Sequence, residues 1–138
     1  MAILTNEDYS KLEAMNLKYK EDNDKRFLVF LDFQLKPGLY QINSCDILVV
    51  IPETYPNAGN DMFWTNPRLQ RTDGMVIPGT IPADQPEANR DVRIFEGKIY
   101  ERWSRHWNSG NQLWRAGKDE ISTIVNRLTY VLANSHEA

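Results

Sequence analysis

Two stretches rich in β-branched and aromatic residues, Arg26 to Leu35 and Tyr40 to Ile51, flank Pro37-Gly38, and Pro52 closes the second of them. In the first, Phe27, Val29, Leu31, Phe33 and Leu35 recur at every second position, with Asp32 and Gln34 between them, the period of a strand with one buried face. Proline presets φ and glycine tolerates positive φ, so Pro37-Gly38 predicts a tight turn and the two stretches a hairpin. Pro52 ends the second strand because it has no N–H for the ladder. An antiparallel sheet is therefore the frame against which the rest of the chain has to pack.

Taken in order, the flanking segments supply the other layer. Thr5 can cap a helix with Asp8 reaching back from three residues on, and Leu4 and Tyr9 are spaced as a hydrophobic staple, which predicts a helix from about Asn6 to Leu17. Lys18 to Lys25 is a polar connector with room for a short edge strand. After Pro52 come a turn at Tyr55-Pro56, a polar loop from Asn57 to Asp61, a short apolar strand at Met62 to Trp64 and a break at Pro67. Arg68 to Arg93 holds Pro78, Pro82, Pro86, Gly74 and Gly79, and reads as one long loop, a length that in a small domain usually carries function. Ile121, Ile124, Val125, Leu128, Val131 and Leu132 then follow helical spacing, predicting an amphipathic helix from about Asp119 to Asn134, with Asp119 or Gly117 near its start. The expected fold class is α+β, a single domain spanning 1–138: a three-stranded antiparallel meander with an N-terminal helix, a long flap loop and a C-terminal helix.

Composition narrows the functions open to such a domain. The 138 residues carry a formal net charge of -3, which argues against a general nucleic-acid binder. A single cysteine, Cys45, cannot form an internal disulfide, nothing at the N-terminus reads as a secretion signal, and no apolar run approaches the ~20 residues of a membrane helix. A cytoplasmic location without membrane contact is expected. No cofactor motif is present. A metal site is not expected either, since His106 has no second histidine or cysteine beside it.

Gly97 to Trp107, GKIYERWSRHW, concentrates two tryptophans, a tyrosine, a serine, a histidine and two arginines, and is the candidate functional segment. Ser104 and His106 would point to the same side of an extended stretch. Trp103, Trp107 and Trp114 are candidates for recognition, although large apolar side chains in a small domain commonly serve as core. Arg102 and Arg105 are candidate binding groups or solvated charges, and Asp119 is a candidate contact or simply the chemistry of a helix start.

The run ILVVIPETYPNAGNDMFWTNPRL, with its strand, Tyr55-Pro56 turn, short strand and Pro67, resembles the hallmark of the ubiquitin-conjugating-enzyme (UBC) superfamily. Pro37-Gly38-Leu39-Tyr40, Asp61-Met62-Phe63-Trp64, Arg102-Trp103-Ser104-Arg105-His106 and Trp114-Arg115-Ala116-Gly117-Lys118-Asp119 make it most similar to the bacterial branch called prokaryotic UBC-like family E. The resemblance implies a UBC-like fold, a ubiquitin-like protein and an adenylating activating enzyme as partners, and an N-terminal helix (Glu7, Asp8, Lys11, Glu13) that docks the activating enzyme. Enzymatic members accept the modifier on a cysteine that follows the flap loop. Here Gly97-Lys98-Ile99 runs into Tyr100, and no His-Pro-Asn turn precedes it.

An oxygen nucleophile in place of that thiol needs a base, because a phenol of pKa about 10 or an alcohol is far less ionised at neutral pH than a thiol near 8.5. Ser104 with His106 as base is the candidate pair, and Tyr100 is the residue aligned with the missing cysteine. Cys45, on the face shared by Ile47, Val49 and Ile51, reads as inert core. Three functions are open: a transfer component holding the modifier with or without an ester, a noncatalytic adaptor for the modifier or activating enzyme, and, least favoured by charge, a single-stranded nucleic-acid platform built from the arginines and tryptophans of 102 to 107.

Overall fold

The computed structural model describes residues 2–80, 85, 91–107 and 113–137. Helix α1 (Asn6–Ala14) starts at the expected capping box: Asp8 N–H donates to Thr5 Oγ1 at 3.2 Å and Thr5 N–H to Asp8 Oδ2 at 3.1 Å. It stops earlier than its sequence suggests, because Asn16 turns left-handed at φ 56°. Asn16 N–H then donates to Glu13 O and Leu17 N–H to Leu12 O, the paired bonds of a Schellman ending.

Six strands follow where three were expected: β1 (Lys18–Asp22), β2 (Phe27–Gln34), β3 (Ser44–Val50), β4 (Phe63–Asn66), β5 (Arg93–Phe95) and β6 (Lys98–Trp103). All neighbours are antiparallel, in the order β1-β2-β3-β4-β6-β5. The polar segment after α1 is a full edge strand, and the last two strands form a hairpin closed by Glu96 and Gly97, both at positive φ, 51° and 77°. The sheet curls far enough that Lys20 Nζ on β1 reaches Glu96 Oε1 at 2.9 Å, linking one edge to the turn at the other. Of the expected long loop, 81–84 and 86–90, with Pro82 and Pro86, lie outside the described residues.

The single apolar face expected for β2 is not what forms. The pairing with β3 shifts between Phe30 and Phe33, and Asp32, at φ 51°, donates its N–H to Asp46 Oδ1 at 2.9 Å. This bulge places Leu28, Phe30, Phe33 and Leu35 in the main core, while Phe27 and Val29 join Leu48, Trp64, Phe95 and Tyr100 in a second cluster on the opposite sheet face. Because both faces are covered, simple alternation could not report which side is inside.

Helix α2 (Ile121–Ala133) covers the main core with Ile121, Ile124, Val125, Leu128 and Leu132. Its N-cap is Glu120, one residue beyond Asp119: Ser122 N–H donates to Glu120 Oε2 and Glu120 N–H to Thr123 Oγ1, both at 3.2 Å. Asp8, 2% exposed, ties the layers together by accepting from Ile121 N–H at 3.2 Å and from the Tyr55 hydroxyl at 2.8 Å.

Candidate functional site

The chain leaves β6 through Ser104 to Trp107 with its side chains sorted by alternation. Trp103, Arg105 and Trp107 are 2%, 8% and 4% exposed, whereas Ser104 is half-buried and His106 exposed. Both indoles stack on Phe63, with ring centroids 5.1 and 5.9 Å away, and Trp103 Nε1–H donates to Thr65 Oγ1 at 3.1 Å. Arg105 is an internal strut. Its guanidinium donates to Pro78 O and, at 3.4 Å, to Ser135 O beyond the end of α2, and lies 5.5 Å from the Trp103 ring. Burial lowers the Arg105 pKa. Trp103, Trp107 and Arg105 were candidates for a binding surface. The structure buries all three, with one face of each indole stacked on Phe63.

What this packing presents is a cleft of about 880 Å³ between the 104–107 segment and α2, lined among others by Ser104, His106, Trp107, Arg115, Asp119 and Asn126. Ser104 N–H donates to Gly79 O at 2.8 Å, and Arg105 N–H donates to Trp103 O at 2.9 Å, closing a three-residue turn centred on Ser104. His106 Nδ1 lies 2.9 Å from Asp61 Oδ2, and Trp107 N–H donates to the other oxygen, Oδ1, at 3.1 Å. No hydrogen bond joins Ser104 to the His106 ring among the described residues. The sequence shows Asp61 only as the first residue of the Asp61-Met62-Phe63-Trp64 run and gives it no site role, because its partner His106 lies 45 positions away.

Of the remaining candidates, Asp119 lines the same cleft, whereas Tyr100, Arg102 and Trp114 do not. Tyr100, 1% exposed, is separated from Ser104 and His106; it packs in the second cluster, edge-on to Phe95, and burial pushes its hydroxyl up to about 12. Arg102 pairs with Asp91, whose carbonyl also takes the Trp64 indole N–H. Trp114 Nε1–H donates to Pro56 O at 2.8 Å, and its ring lies so close over Gly59 that a Cβ there would be 2.1 Å from it. Arg127 sits between two indoles, 5.7 Å from Trp107 and 5.8 Å from Trp114. Asp119 accepts from Arg115 N–H at 2.7 Å, from the Arg115 guanidinium at 3.2 Å and from the Thr123 hydroxyl at 3.2 Å. Burial alone would raise its carboxyl, but these donors hold it below the usual carboxylate range. On α1, Glu7, Lys11 and Glu13 are exposed and Lys11 pairs with Glu120 at 3.0 Å, whereas Asp8 is internal and not part of a docking face.

The sequence from 4 to 135 matches the family model described as Prokaryotic E2 family E. The chain belongs to prokaryotic E2 family E. No curated protein and no solved structure matches it. Membership gives it an E2-like role in ubiquitin-like conjugation, and with that the family's general association with ubiquitin-like proteins and activating enzymes. The curled antiparallel sheet with its two helices is consistent with an E2-like fold. The chain has one cysteine. Cys45 is 3% exposed within β3, and burial pushes it up to about 12, so at neutral pH it carries essentially no thiolate. Among the described residues no cluster of His, Cys, Asp and Glu is arranged to hold a metal ion, and no helix is long and apolar enough to cross a membrane.

Proposed function

We propose that this member of prokaryotic E2 family E takes the C-terminal tail of a ubiquitin-like protein, delivered by an adenylating activating enzyme, into the cleft beside α2, and holds it as an ester of Ser104. The carrying observation is that Ser104 and His106 share this cleft, with the imidazole already on a carboxylate. In the transfer, Ser104 Oγ attacks the activated carbonyl carbon of the tail and forms the C–O bond, its proton passing to His106 Nε2. The bond to AMP, or to the activating enzyme's thiol, breaks, and the leaving group takes the electron pair and is reprotonated from the bulk or from the imidazolium. Unliganded sites often have long nucleophile–base distances that close with substrate in place, which is compatible with Ser104 and His106 lacking a direct bond here. On this reading Tyr100, buried in the second cluster, takes no part in the chemistry.

A second reading is favoured by one feature, the buried and unionised Cys45: a noncatalytic adaptor that binds the modifier or activating enzyme without a covalent step. Incubation with the activating enzyme, nucleotide and tagged modifier separates the two. An adduct that resists thiols, is cleaved by hydroxylamine and disappears in Ser104→Ala is expected from the ester. Saturable binding with no adduct selects the adaptor, and neither adduct nor binding overturns both.

A further inference from the structure

We infer that Asp61 is a positioning residue for His106, keeping the ring proton on Nδ1 and turning Nε2 toward the cleft. The role of the ring as base rests on the reading given above; its orientation does not. A carboxylate only accepts hydrogen bonds, so the nitrogen 2.9 Å from Asp61 Oδ2 has to donate, and in a neutral imidazole that leaves the lone pair on Nε2. The other oxygen is committed. Asp61 Oδ1 takes Trp107 N–H at 3.1 Å, and Trp107 is itself clamped on Phe63, so the carboxylate is held from the core side. Anchoring the Trp107 backbone would need only one acceptor. The His106 and Asp61 side chains are 58% and 36% exposed, and pairs that open to water contribute little to stability, so the second oxygen serves chiefly to orient a ring that would otherwise rotate freely.

The same geometry makes an isosteric substitution informative. In Asp61→Asn, Trp107 N–H selects the amide oxygen, which points the NH₂ group at His106 Nδ1. That nitrogen has to accept, and the ring is driven to carry its proton on Nε2, where it can no longer take one from Ser104. The chain has two histidines, so nitrogen-15 spectra of the histidine-labelled protein, with His136→Gln for assignment, read the tautomer directly at a pH where the ring is neutral. The expected result is Nδ1–H in the wild type and Nε2–H in Asp61→Asn, with little change in melting temperature and at least about a 100-fold drop in the rate of any hydroxylamine-sensitive adduct. A wild-type ring protonated on Nε2, or interconverting freely, overturns the inference even if Asp61→Asn fails to fold. So does an Asp61→Asn spectrum unchanged from the wild type. The expected tautomers in a protein that forms no adduct support the orientation while removing the ester chemistry, so the two failures are told apart.

Discussion

At Asp119 one carboxylate couples the start of α2 to the cleft wall, and its charge state follows from its partners. The Arg115 donors and Thr123 hydroxyl hold its folded pKa below the unfolded value, so the stabilisation is fully present above the ordinary carboxylate pKa and fades as pH falls through the lowered one. Asp119→Asn is therefore expected to cost about 2 kcal/mol at neutral pH, the usual worth of hydrogen bonds to a charged group, with the gap from wild type closing in acid. Urea melts across the acidic range check both magnitude and sign. Asp119 was visible in the sequence as helix-start chemistry, and that is close to its role, although Glu120 supplies the cap itself. The pairing of Asp61 with His106 was not visible. A polar residue in a loop acquires its meaning from a partner 45 positions away, and no local periodicity encodes that pairing.

Among elements, legibility followed how local the determinant is. The Thr5–Asp8 box and the spacing of α2 are written within a few residues, and both helices form there, although α1 ends at Ala14, short of the expected Leu17. The β2 bulge is different. Its left-handed Asp32 is held by Asp46 on the next strand, and two apolar faces erase the alternation that would have revealed the shift. The β5–β6 hairpin had a signal, the Glu96-Gly97 pair, but the turn needs both residues left-handed and glutamate does not advertise that conformation as asparagine does. The end of α1 gives a direct check. Asn16 holds φ 56° without a glycine, so Asn16→Gly should be neutral or slightly stabilising, whereas Asn16→Val should cost about 1–2 kcal/mol, read from thermal or urea unfolding.

Over the whole molecule, the candidate cleft exists because three distant parts of the chain are fastened to each other. Trp103 and Trp107 grip Phe63, Arg105 bridges the 78–79 turn and Ser135 beyond the end of α2, and Asp8 joins both helix starts to Tyr55. The sequence marked 97–107 as unusual and gave the family resemblance. It did not show that the tryptophans and Arg105 face inward while Ser104 and His106 face out, because that sorting depends on what β4 and α2 bring to each side. The central claim is that the modifier's tail reaches Ser104. Its most direct test is peptide mapping by mass spectrometry of the wild-type protein after incubation with activating enzyme, nucleotide and modifier. The predicted result is a tail remnant on Ser104 with Cys45 unmodified; a remnant on Cys45 or Tyr100, or no covalent product at all, would contradict it.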